Sequence, residues 1–95
     1  MEKKESGESW KVVLSRPAEK TYDKAIQDMQ DRLETCFEEL EKNPLNGANI
    51  KQLTGKLKGF SRYRIGDWRV IFRISTERRV VEIIAILPRG SAYKK

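Results

Sequence analysis

Two runs in which cationic and apolar residues alternate, Lys58–Ile65 (KGFSRYRI) and Trp68–Ser75 (WRVIFRIS), meet at the pair Gly66-Asp67. Alternation at a period of two marks a strand with unlike faces, and a glycine-led pair between such runs fits a tight hairpin turn. A hairpin closed by two residues has one register, in which Ile65 pairs with Trp68 and Tyr63 with Val70. A slip of one residue would turn every side chain over. The same register sets Arg64 directly opposite Arg69, with Arg62 nearby, on the face away from those four residues. Like charges directly opposite destabilise a sheet. At ~5 Å they repel by ~0.8 kcal/mol in bulk water and ~3 kcal/mol at an effective dielectric of about 20. Folding alone gives no reason to stack them, whereas an anion held between them would. The plainer structural use is as solvated arginines whose stems cover Ile71 and Ile84.

The third run, Val80–Leu87 (VVEIIAIL), joins the second through a longer turn at Thr76–Arg79. Pairing Ile74 with Val81 puts Phe72 against Ile83 and Val70 against Ala85. It also sets Arg73 opposite Glu82 as a cross-strand ion pair. Continued past Pro88, this register brings Arg89 out near Asp67 and the Arg69 end of its strand, with Tyr93 four residues on.

Ahead of these runs, Trp10–Ser15 reads as a short strand with Val12 and Leu14 on one face, and Pro17 suits the first turn of a helix. Tyr22, Ile26, Met29, Leu33, Cys36, Phe37 and Leu40 recur at spacings of three and four, an amphipathic helical region whose stripe is core. The region reads as a hairpin of two helices broken near Lys24–Asp28 and stopped by Asn43-Pro44. Cys36 lies on the stripe as a buried, inert thiol. Leu45–Gly59 reads as a connection. The predicted fold is therefore α+β, a small βααβββ domain with its helices on one face of one sheet. Residues 1–9 are expected to form a flexible tail and 10–95 a single domain.

Charge is unevenly spread. Residues 1–49 carry 8 Lys/Arg against 11 Asp/Glu, a net −3, and residues 50–95 carry 12 against 3, a net +9. That asymmetry predicts a polyanion or an acidic protein as partner of the C-terminal half. One cysteine excludes an internal disulfide framework, and no CxxC or Cys/His cluster suggests zinc, so neither metal nor cofactor is expected. The longest apolar run is too short to span a bilayer, and the polar start lacks the core of a signal peptide, so a cytoplasmic protein without membrane contact is expected. The chain has no histidine. A site built from its arginines would grip phosphate while offering few proton carriers.

A basic strand with a tyrosine, the GDWRVIFRI hairpin and a last apolar strand running into PRGSAY together resemble the RelE/ParE superfamily of toxins from type II toxin–antitoxin systems. RPAEK…ELEKNP is similar to that superfamily's helical hairpin and KLKG to its approach to the second strand, so the resemblance covers Trp10–Tyr93. It implies a curved antiparallel sheet carrying a helical hairpin on one face. It also implies an endoribonuclease that cleaves messenger RNA in the ribosomal A site, the activity of the RelE branch. Attack by the 2′-OH on the adjacent phosphorus would give a cyclic phosphate and a 5′-OH product, with charge stabilisation and in-line positioning as the main levers.

Carried over by motif, Arg69, Arg89, Tyr93 and Arg64 are the catalytic residues. Arg69 offsets transition-state charge, Arg89 assists it or polarises the leaving oxygen, and Tyr93 stacks on a base. Arg62, Arg64, Lys58 and Lys56 bind RNA. The best-known RelE toxin has lysines where this chain has Arg62 and Arg64, which puts the proton acceptor in question; Lys58, Tyr93 or the ribosome are the candidates. The implied partners are a cognate antitoxin with an acidic or amphipathic segment, the ribosome and its message, and operator DNA only through the antitoxin. Two other readings compete: a ParE-like inhibitor of DNA gyrase, and a non-catalytic RNA-binding module on the same basic face.

Overall fold

The computed structural model describes residues 9–88, so Arg89 and Tyr93 lie outside the described residues. The elements run β1 (Lys11–Leu14), α1 (Arg16–Lys24), α2 (Gln27–Lys42), β2 (Ile50–Gln52), a 3-10 turn (Gly55–Leu57), β3 (Ser61–Ile65), β4 (Trp68–Ser75) and β5 (Val80–Leu87). The strands form one sheet in the order β1-β5-β4-β3-β2, with the two helices on one face. The expected α+β architecture is present, with two differences. A short fifth strand, β2, pairs antiparallel with β3 inside the segment read as a plain connection. The sheet is mixed, because β1 lies parallel to β5. The helical hairpin carries the chain away from β1, and parallel neighbours need such a crossover between them.

Ser15 opens α1 as its N-cap. Its Oγ accepts a hydrogen bond from the Ala18 amide at 3.2 Å, and Pro17 sits in the first turn. The helices are separated by Ala25 and Ile26, both extended, which is the break expected within Lys24–Asp28. Ile26 was expected on the core stripe but is 73% exposed. As the extended residue before α2 it falls out of helical phase, so the stripe passes it by. The remaining α2 positions, Met29, Leu33, Cys36, Phe37 and Leu40, are buried against Tyr63, Ile65, Val70, Phe72, Val81, Ile83 and Ile86.

The Gly66-Asp67 hairpin has the predicted register: Ile65 with Trp68, Tyr63 with Val70 and Arg64 with Arg69. Gly66 has φ 54°, and Asp67 is not among the residues with positive φ, the signs of a type II′ turn that glycine enters without strain. In the second hairpin Ile74 meets Val81, Arg73 meets Glu82 and Phe72 meets Ile83, as expected. Beyond that point the register shifts. Val70 lies opposite Ile86 and Ile71 opposite Ala85, instead of Val70 opposite Ala85.

Ile84 is the extra residue of a β-bulge, so inward positions pass from Val81 and Ile83 to Ile86, all nearly inaccessible to water. A bulge leaves ladder groups unpaired, and here the Ile84 carbonyl accepts the Ser15 hydroxyl at 2.7 Å. The Ser15 amide donates to the Ile83 carbonyl at 2.9 Å. The cap of α1 and the bulge of β5 are thus one hydrogen-bonded unit.

Beneath α2, Tyr63 donates its hydroxyl to a Glu39 carboxylate oxygen. Burial, reinforced by that bond, pushes the Tyr63 pKa well above the usual phenol value, and burial with the nearby Glu39 charge does the same to the Cys36 thiol. The inert thiol expected of Cys36 is what its environment produces.

Two outcomes follow for stability. Replacing Ser15 with Ala should cost about 2–3 kcal/mol in urea unfolding, since it removes a cap and strands a carbonyl. Ser15→Asp, which can cap but cannot donate to Ile84, should recover only part of that loss. The pH dependence has a definite sign. Tyr63 and Cys36 hold their protons more tightly folded than unfolded, so their contribution is complete below the ordinary values of 9.0 and 10.0. It fades as pH rises above them. Unfolding free energy should fall through that alkaline range, and Tyr63→Phe should flatten part of the decline.

Candidate anion-binding site

The sheet face without helices carries three rows of side chains set by the strand register. Phe60, Arg73 and Glu82 form one, Lys51, Arg62, Ile71 and Ala85 the next, and Arg64, Arg69 and Leu87 the third. In the first row charge is balanced: Arg73 Nη2 lies 2.7 Å from Glu82 Oε1, and its guanidinium sits 5.8 Å from the Phe60 ring centroid. Ile71 is 7% exposed although no helix among the described residues covers that face. Its register neighbours Arg62, Arg69 and Arg73 carry aliphatic stems long enough to exclude water there.

Between the second and third rows lies a recess of about 360 Å³, lined by Lys51, Gln52, Leu53, Thr54, Leu57, Arg62 and Arg69. Its cations come from three strands. Lys51 on β2 pairs with Arg62 on β3, and Arg69 on β4 lies diagonally across from Arg62. Its wall is the β2–β3 connection, closed by a Leu53 amide to Phe60 carbonyl bond at 3.0 Å and folded through the 3-10 turn that carries Leu57. Gly55 and Gly59 take φ 66° and 99° within that loop.

The Nε atoms of Arg62 and Arg69 are shielded from solvent, and Arg62 Nε makes no hydrogen bond among the described residues. A shielded guanidinium donor left in this way needs an acceptor, and an anion in the recess would supply one.

The expected site residues separate. Arg62 and Arg69 come together. Arg64 lies opposite Arg69 in register but lines a different recess, beside Arg32 of α2. The two like charges of that pair thereby point into different spaces. Lys58 does not lie on the sheet face, because β3 begins at Ser61 and the left-handed Gly59 turns the chain before it. It lines a separate recess of about 610 Å³ with Phe60, Ser61 and Ile74. Lys56 is exposed in the 3-10 turn and lines neither space. Lys51 was not foreseen. Its only signal is a three-residue strand, IKQ, too short to declare a period.

Chemically, the recess can bind and polarise a phosphate or another oxyanion. The site's one tyrosine neighbour among the described residues, Tyr63, faces the helices with its proton held tightly. Guanidinium groups do not give up protons near neutrality. The described part of the site is therefore an electrostatic clamp.

Residues 12–93 match the family described as ParE toxin of type II toxin–antitoxin system, parDE. Among solved structures, the chain resembles the RelBE2 toxin–antitoxin complex of Mycobacterium tuberculosis, with TM-score 0.75 and 23% identity over 85% of this chain and 99% of that one. It is similar to the archaeal RelE–RelB complex of Pyrococcus horikoshii, with TM-score 0.75 and 25% identity over 88% and 99%. The isolated RelE toxin of E. coli gives TM-score 0.74 and 17% identity over 90% and 89%. No curated protein sequence gives a significant match.

Inorganic phosphate should raise the melting temperature of the protein by binding the native state. Arg62→Ala and Lys51→Ala should each shrink that rise in a thermal-shift titration, and Lys56→Ala should leave it at the wild-type value. Equal shifts in all four proteins would remove the recess as the anion site.

Proposed function

The chain belongs to the ParE toxin family of type II toxin–antitoxin systems, and from that premise we propose that it acts as a ribosome-dependent endoribonuclease on messenger RNA. The observation that carries this reading is the recess in which Lys51, Arg62 and Arg69 converge around a shielded, unsatisfied Arg62 Nε. RNA cleavage by 2′-OH attack asks for such a constellation. The 2′-oxygen bonds to the adjacent phosphorus, the P–O5′ bond breaks, and negative charge gathers on the phosphoryl oxygens in between. Cations arranged around the phosphate stabilise that charge more than they stabilise the starting diester.

In this reading Arg69 takes the developing charge, while Arg62 and Lys51 hold the phosphate in line. By family resemblance Arg89 assists and Tyr93 stacks on a base, beyond the described residues. The proton of the attacking hydroxyl leaves through Tyr93 or a ribosomal group, and the departing 5′-oxygen takes up a proton to leave as the 5′-OH. Arg64 serves RNA binding rather than the reacting phosphate. A cognate antitoxin segment of acidic character would silence the toxin by covering the recess.

A second reading, inhibition of DNA gyrase, comes with the ParE branch whose name the matched family carries. One experiment separates the two. Message ends are mapped by primer extension with and without ribosomes, beside a gyrase supercoiling assay on the same preparation. The nuclease reading expects cuts only when ribosomes are present, a loss of at least 100-fold for Arg69→Ala, and unimpaired supercoiling. Blocked supercoiling with intact message would overturn it.

A further inference from the structure

Arg64 is exposed and is drawn away from Arg69, its partner across the hairpin, to line a recess of about 340 Å³ with Arg32, Thr35, Asn49, Tyr63, Ile65 and Gly66. This recess lies where α2 meets the β3 edge, past the end of β2, and the Arg64 amide is anchored there by the Asn49 carbonyl at 3.0 Å. Its second cation comes from the acidic half of the chain. Arg32 Nε lies 3.6 Å from Asp28 Oδ2 one turn earlier in α2. The other end of its guanidinium hangs over the hairpin turn: a Cβ on Gly66 would lie 3.4 Å from Nη1. Gly66 thus serves both the turn and the approach of Arg32.

Among the described residues, no carboxylate lines this space. Acids near it include Asp28, beside Arg32 Nε, Glu39, which accepts the Tyr63 hydroxyl, Asp67 in the turn, and Asp31 and Glu38, a turn either side of Thr35 on α2. The Thr35 hydroxyl donates to the Asp31 carbonyl, so charge-assisted donation into the recess falls to the two guanidinium groups. Arg62 and Arg64 are two residues apart on β3, about 6.7 Å along the strand. That is the scale of one backbone repeat in an extended single-stranded nucleic acid.

We propose that Arg32 and Arg64 form a second phosphate site, taking the phosphodiester next to the one held by Lys51, Arg62 and Arg69. The RNA strand then crosses β3 from the helix-free face toward α2, and Arg64 is a substrate-positioning residue. The proposal rests on the RNA-directed reading of the toxin, but its test is binding rather than cleavage.

The test uses the full chain and a short single-stranded RNA made uncleavable by 2′-O-methylation, with affinity read by fluorescence anisotropy at several salt concentrations. Each phosphate neutralised on a single strand contributes about 0.7 to the slope of log affinity against log salt. The double variant Arg32→Ala/Arg64→Ala should lower that slope by about 0.7 and weaken binding several-fold at low salt. Arg32→Lys should keep the slope, and Asp28→Ala, which releases Arg32, should tighten binding.

Circular dichroism confirms that each variant is folded. An unchanged slope and affinity in the folded double variant overturns the proposal, as does a wild-type chain that fails to bind the oligonucleotide. A chain that cleaves message while the slope stays put loses this site and keeps its nuclease reading. A chain that never cleaves but shows the lowered slope keeps the site and loses the nuclease reading.

Discussion

The hydroxyl of Ser15 makes two hydrogen bonds that hold opposite ends of the chain in one arrangement. It accepts from Ala18 to start α1 and donates to the carbonyl that the bulge at Ile84 leaves over. The bulge decides which residues of the last strand face the helices. Before it Val81 and Ile83 point into the core, and after it Ile86 does, which puts Ala85 and Leu87 on the helix-free face beside Ile71 and Arg69. Without the extra residue Ala85 and Leu87 would turn toward the helices and Ile86 would sit among the arginines. Which apolar residues floor the cationic face is therefore tied to a serine at the far end of the sequence.

Much of this was legible in the residues. Gly66-Asp67 between alternating runs determines the register of β3 on β4 because only one pairing buries Tyr63, Ile65 and Val70 together. Glu82 is the one charged residue in β5, so its pairing with Arg73 could be placed as well. The bulge could not. After Glu82 the strand reads IIAIL, with no polar residue to mark which positions face water, and either phase buries apolar side chains. β2 was hidden for a related reason: Ile50 and Lys51 alternate correctly, but three residues cannot establish a period. With β2 went Lys51, and with the left-handed Gly59 went the expectation that Lys58 lies on the sheet.

The cationic constellation also shows why register alone overstates a site. Arg64 and Arg69 are neighbours across the ladder, yet each guanidinium lies at the end of a stem long enough to choose a different space. Repulsion favours that choice, and on the α2 side Asp28 steadies Arg32, whose guanidinium overhangs the turn that Arg64 flanks. The chain's division into an acidic helical half and a basic sheet half is thus bridged at one edge. The helix lends a cation to the sheet instead of neutralising it.

The pairing of β1 with β5 has a temporal meaning. Ser15 and Ile84 are separated by 69 positions, and contacts between such distant segments are entropically costly and form late. While the polypeptide is being synthesised, β1 has no strand partner until β5 has emerged, and the bulge cannot be satisfied until both are present. The helical hairpin and the central hairpin can form from local contacts, but the sheet closes last. Closure of the fold is therefore deferred until its last strand has been made, and the two hairpins exist before the sheet that joins them is complete.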